Sequence, residues 1–139
     1  MKLFVAASYS DYVNYDTGEV FPEYQEWLEG NLTQLEKFGH AVFCALRADG
    51  YKINDGNPAK AFSLDEAEIK AADGMVAFIA EKPSEGVQTE IGMAIGRGIP
   101  VALAHSAAVN LKYFNQAIVL AGQAKEIILP LESDPFPST

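Results

Sequence analysis

The sequence predicts an α/β protein: a single flavodoxin-like (Rossmann-like) domain, with a five-stranded parallel sheet and helices on both faces. Three observations carry this. Short apolar runs recur at Lys2–Ala7, Ala41–Leu46, Met75–Ala80 and Pro100–Ala104, each with the length and continuous hydrophobicity of a strand buried on both sides. Segments with helical spacing of apolar residues lie between them, and strands alternating with helices build parallel βαβ units. The 139 residues are 49% hydrophobic with a mean hydropathy close to zero, which suits one core of ordinary size, and no internal repeat suggests a second.

Lys2–Ala7 is the first strand. Ser8 to Gly18 follows as a polar loop rich in tyrosine. Open α/β sheets bind ligands beyond the carboxyl ends of their strands, so Ser8 and Tyr9 are candidate ligand contacts; the alternative is a surface loop with incidental tyrosines. Pro22 opens the first helix and Gly39 closes it. Tyr24, Leu28, Leu32 and Leu35 face inward, leaving Glu23, Glu26, Glu29 and Glu36 as a solvated face. Ala41–Leu46 is the second strand.

Asp49-Gly50 and Asp55-Gly56-Asn57-Pro58 are turn signals within Arg47–Lys60, a length that suggests a functional lid or an insertion. Arg47 is placed to meet either an anionic ligand or a surface carboxylate. Ser63-Leu64-Asp65-Glu66 reads as a capping box opening a helix that ends at Ala72. Asp73 starts the third strand. Ser84 is a good N-cap for a helix with Val87, Ile91, Ala94 and Ile95 inward, which Gly98 stops. Pro100–Ala104 is the fourth strand. His105–Asn110 is expected as a loop, Leu111–Asn115 as a short helix and Ala117–Leu120 as the fifth strand, with Ile127-Ile128-Leu129 left to pair or dock. The domain spans 1–130, and 131–139 is expected to be a mobile tail, within a stretch from Pro130 that carries three prolines and an acidic pair. The natural strand order is 2-1-3-4-5, which puts a ligand crevice between the first and third strands, flanked by the Ser8 loop and the Pro83–Gly86 loop.

Composition removes several function classes. The net charge is −9 with Lys and Arg scattered, which argues against a nucleic-acid partner. No apolar run approaches the ~18–20 residues of a membrane span and no signal peptide opens the chain, so no membrane partner is expected. Cys44, the only cysteine, lies in an apolar run and reads as a small hydrophobe in a reducing cytoplasm. His40 and His105 are far apart and in no ligand-spacing motif; neither metal nor cofactor is expected.

Glu90 is the informative residue. On a helical wheel it lies about 60° from Val87 and about 40° from Ala94, at the border of the buried stripe. It also falls in the first two turns of its helix, where the macrodipole favours negative charge. A solvated glutamate using the same dipole fits the spacing equally well.

Asp73 before an apolar strand, then Pro83-Ser84-x-Gly86-Val87, then Glu90-Ile91-Gly92-x-Ala94, resembles the nucleoside 2-deoxyribosyltransferase family, and most closely its 2'-deoxynucleoside 5'-phosphate N-hydrolase branch. The resemblance covers about a quarter of the chain, including the order of strand, loop, helix and strand. It implies cleavage of the N-glycosidic bond of a nucleoside or nucleoside 5'-monophosphate, with the sugar passed to water or to another base. Glu90 matches the nucleophile and Asp73 the second carboxylate, which protonates or holds the departing base. Ser84 and Gly86 match the loop that holds a 5'-phosphate, and a helix N-terminus there suits an anion. Family members are dimers or higher homo-oligomers in which a neighbour completes the site, which here implicates Ser106–Asn110. A nucleotide-binding module without turnover on the same scaffold is the alternative reading. A receiver domain is excluded because Ser8-Tyr9 replaces its acidic pair. A flavodoxin is excluded because Ser8–Asn14 is too aromatic and acidic for a flavin phosphate loop.

Overall fold

The computed structural model describes residues 1–53, 56–82 and 84–137. Asp55 and Pro83, named above as turn and loop residues, and the last two residues of the expected tail lie outside them. Strands β1 (Lys2–Ala7), β4 (Ala41–Cys44), β5 (Gly74–Phe78), β6 (Val101–His105) and β7 (Lys125–Ile128) form one parallel sheet in the order β4-β1-β5-β6-β7. This is the expected 2-1-3-4-5 arrangement. Leu3 stands beside Gly74 and Ala7 beside Phe78, so β1 and β5 end together at the carboxyl edge. A small antiparallel hairpin, β2 (Val13–Asn14) and β3 (Glu19–Val20), lies within and just after the loop that follows β1.

The central strands alternate between two cores. Leu3, Val5, Val76, Phe78, Ala102 and Ala104 face helix α1 (Pro22–Lys37), which buries Leu28, Leu32 and Leu35. Phe4, Ala6, Met75, Ala77, Val101 and Leu103 face the other side. There α3 (Pro58–Ala71) contributes Ile69, and α4 (Glu85–Gly96) contributes Val87, Ile91 and Ala94. Residues buried on both faces of one strand explain why these segments read as unbroken apolar runs. Cys44 is buried in the first core, and burial pushes its thiol up.

Several elements differ from expectation. Helix α3 starts at Pro58, because the Asn57 side chain accepts from the Lys60 N–H at 3.1 Å and Pro58 pre-sets the first turn; Ser63 is therefore inside a helix and the capping box does not form. The second strand stops at Cys44 and a short helix, α2 (Ala45–Ala48), replaces its end. Ala117–Leu120 is the last half of α5 (Tyr113–Leu120), not a strand, and Lys125–Ile128 is the fifth strand. A four-residue apolar run carries no period, while an edge strand such as β7 keeps its charged residues in solvent. Arg47 clamps Glu29 (2.7 and 3.2 Å) and Glu36 (2.9 and 3.0 Å), so those glutamates are ion-paired on α1. With the Tyr51 hydroxyl also donating to it, Glu29 is held below the usual carboxylate range.

Residues 131–136, expected as a mobile tail, are packed against the sheet. Leu131 and Phe136 are buried in the α1-side core, and the Phe136 ring approaches to 3.3 Å the position a Cβ on Gly74 would take. His40 Nε2 lies 2.7 Å from Asp134 Oδ1, which also accepts from the Phe136 N–H at 2.8 Å. Lys125 donates to the Pro135 carbonyl and stands over the Phe136 ring. The last βα crossover leaves part of this sheet face without a helix, and the segment covers it.

Candidate active site

The strand order reverses between β1 and β5, and a narrow crevice opens at their carboxyl ends. Ser8, Phe78, Ser84, Val87 and Gln88 line it. Ser8 is buried directly after β1, and its carbonyl accepts from the hydroxyl of the half-buried Tyr24. Burial pushes that phenol well above the ordinary tyrosine range. Across the crevice Ser84 caps α4, its Oγ accepting from the Val87 N–H at 3.4 Å. Gly86, one residue into the helix, is exposed beside the Ser84 hydroxyl. Tyr9 stands at the lip, about half exposed.

Helix α4 divides its polar residues by angle. Val87 and Ile91 face the sheet. Gln88, on one flank, exchanges amide hydrogen bonds with the buried Asn115 of α5 at 2.9 and 3.0 Å. Glu90, on the other flank, is half-buried and hydrogen-bonds Asp65 of α3. Burial first, then the charge of Asp65, raises Glu90 from an ordinary 4.5 to about 8. Burial raises Asp65 as well, its hydrogen bond with Glu90 works against the rise, and Asp49 and Glu68 add to it. Two carboxyls in hydrogen-bond contact cannot both ionise without repulsion, so the pair holds on to its protons more tightly than free carboxyls do.

Asp73 is elsewhere. It stands exposed at the amino edge of the sheet, accepting from the Lys2 N–H at 2.8 Å and donating its own N–H to the Lys2 carbonyl at 2.7 Å. All five strands run the same way, so this is the edge opposite the crevice, and Asp73 joins β5 to β1. The structure thus brings Ser8, Ser84 and Gly86 to the crevice, leaves Tyr9 at its rim, pairs Glu90 with Asp65, and separates Asp73 from them. Asp65 was hidden within the supposed capping box. With the helix begun at Asn57, Asp65 lies four residues before the buried Ile69, on the α3 face toward the core, where a carboxylate needs a partner.

A second concavity, of about 350 Å³, lies between α5 and β7, with His105, Val109, Asn110 and Glu126 in its wall. His105 is buried, with Nε2 2.6 Å from Glu126 and Nδ1 2.8 Å from the Ser106 carbonyl. Among the described residues no group of three or more His, Cys, Asp or Glu is placed to hold a metal, and no helix is long and apolar enough to cross a membrane.

The fold and this crevice define a class: doubly wound α/β proteins with a capped helix end at the reversal of strand order, the same helix carrying one member of a carboxyl pair. Among solved structures, the chain is similar to the CMP N-glycosidase BcmB from Clostridium botulinum (22% identity, TM-score 0.67, 93% of this chain and 88% of that one). It is similar to BlsM (25%, 0.72, 92% and 80%) and to a 2-deoxyribosyltransferase from Bacillus psychrosaccharolyticus (19%, 0.61, 93% and 100%). No protein-family model and no curated protein matches the sequence. The chain has the fold of these N-glycosidase and deoxyribosyltransferase structures, as its strand–loop–helix resemblance implied.

Proposed function

We propose that the protein cleaves the N-glycosidic bond of a nucleoside or nucleoside 5'-monophosphate, with Glu90 as nucleophile and Asp65, in place of Asp73, as its partner acid. The observation that carries this is the Asp65–Glu90 pair, two half-buried carboxyls in hydrogen-bond contact whose protons are held above the usual carboxylate range, on a helix whose capped end suits an anion. The proton resides on Asp65 when Glu90 attacks, having moved along their hydrogen bond. A Glu90 oxygen bonds to C1' of the sugar, the C1'–N bond breaks, and its electron pair stays with the base nitrogen, which Asp65 protonates. Water, or the nitrogen of a second base, then bonds to C1', gives its proton to Asp65 and releases Glu90 as carboxylate.

Ser84 and the exposed N–H groups of the first turn of α4 receive a 5'-phosphate, through charge-assisted hydrogen bonds of roughly 1.5–3 kcal/mol each. The exposed Tyr113, Phe114, Leu120 and Ile128 on α5 and β7, beside the Ser106–Asn110 loop, support self-association; a scattering mass near 15.0 kDa at micromolar concentration refutes that part. A cytoplasmic setting fits the single buried thiol. The deciding experiment is chromatography of free base released from a panel of nucleosides and 5'-monophosphates. Release that Glu90→Gln reduces by several orders of magnitude is expected. Thermal stabilisation by a nucleotide without release shows a binding module instead.

A further inference from the structure

Four aromatic rings form a continuous ladder that ends at the crevice. Tyr12 and Tyr24 stack with centroids 4.0 Å apart and planes 3° from parallel. Tyr24 continues to Trp27 at 5.5 Å and 25°, and Trp27 meets Phe78 at 5.4 Å and 69°. Phe78 ends β5 and lines the crevice with Ser8 and Ser84. Tyr24 is tied to the same place by its bond to the Ser8 carbonyl. Phe78, the last rung, is thus part of one wall of the crevice with Trp27 packed edge-on against it, and the helix end at Ser84 forms the other.

Trp27 is the rung the fold does not finish. The residue is 42% exposed, and its indole N–H has no hydrogen-bond partner among the described residues. Neighbours on two sides fix the ring while much of its surface stays in water, which is how an aromatic group is held ready for a flat ligand at low ordering cost. Charge separates the two walls. Glu23 and Glu26 flank Trp27 on the first turns of α1 and disfavour an anion there, whereas the capped end of α4 favours one. A ligand with a neutral planar ring at one end and a phosphate at the other is accepted in a single orientation.

We propose that Trp27 is the stacking platform for the nucleobase, and that it sets the orientation of the nucleotide across the crevice. This rests on the reading of the crevice as a nucleotide site. Aromatic stacking tolerates any base because each has a π face, so the platform selects for a base without choosing among them.

Trp27 is the only tryptophan in the chain, so its fluorescence reports this subsite alone. The Glu90→Gln protein is titrated with CMP and with dAMP, which it holds without turnover, while calorimetry measures binding in parallel. Both nucleotides are expected to quench the emission with the calorimetric affinity. Trp27→Ala in the same background should weaken binding between about five- and a hundredfold, and Trp27→Phe, which keeps a ring, should lose less than about fivefold. Circular dichroism of both variants confirms that the fold is retained. Calorimetric binding without quenching, or with equal affinity in a folded Trp27→Ala protein, overturns the platform and leaves the crevice reading standing. Absence of calorimetric binding by either nucleotide overturns both.

Discussion

Replacing Glu90 by glutamine should make the protein more stable, and increasingly so as pH rises. A carboxyl whose proton is held more tightly in the folded than in the unfolded chain favours folding least where it is ionised. Glu90 moves from 4.5 to about 8 on folding, so over that window the native state binds more protons than the unfolded state, and stability falls as pH increases. A displacement of that size corresponds to ~4–5 kcal/mol at the alkaline end if it belonged to Glu90 alone. Asp65 carries part of it, and the site is only half-buried, so the expected gain for Glu90→Gln is about 1–3 kcal/mol at pH 9. Near pH 4.5, where the folded carboxyl is neutral and the unfolded one only half ionised, the gain should nearly vanish. For a chain of this length about 1 kcal/mol moves the melting temperature by roughly 3–4 °C. Thermal unfolding followed by circular dichroism at pH 4.5, 7 and 9 should therefore show a gap opening from near zero to roughly 3–12 °C. A gap that is constant across pH, or that favours wild type at pH 9, would refute the account of Glu90 as a carboxylate strained by burial and by Asp65.

Three further outcomes follow from the same geometry. If the active form is the singly protonated pair, kcat/KM should fall as pH rises through about 8, where the last shared proton leaves; a rate still climbing at pH 9.5 contradicts this. Asp65→Asn should lower kcat/KM by about two to four orders of magnitude, while Asp73→Asn should leave it within about threefold, since Asp73 joins two strands at the far edge; reversed effects in steady-state assays would restore Asp73 as the partner acid. Phe136→Ala should cost about 3–5 kcal/mol by urea unfolding, because the ring is buried against Leu3 and Gly74; a cost below about 1 kcal/mol would mean that the segment contributes nothing to the core.

The sheet and the half-buried placement of Glu90 were legible because their signals are local. Strands buried on both faces are unbroken apolar runs, and Ser84, Val87, Glu90 and Ile91 fix a helix and its angular sectors within eight residues. The pairing of Asp65 with Glu90 was not legible, since two helix starts competed for one stretch. Ser63-x-x-Glu66 satisfies the capping-box pattern, but Asn57-Pro58 supplies an N-cap earlier and with a fixed φ, and the later start leaves Asp65 inside the box rather than on a core-facing turn. Asp73 drew attention through its position before a strand, yet strand starts lie at the edge of the sheet that ligands do not use. The edge strand Lys125–Ile128 was obscured by its charges, which solvent tolerates there, and the packing of Leu131 and Phe136 depends on a bare sheet face that no local pattern announces.

That last segment has a mechanical consequence. Residues 129–136 leave β7, one border of the sheet, and Asp134 bonds to His40, which directly precedes β4 at the other border. Five strands at about 4.8 Å spacing put those borders ~19 Å apart, and the segment acts as a belt across them. The outermost strands of an open sheet ordinarily fray independently of each other. Here, peeling β7 lifts Phe136 from Leu3 and removes the partner of His40, so a disturbance at one border is felt at the other, and the sheet opens as a unit.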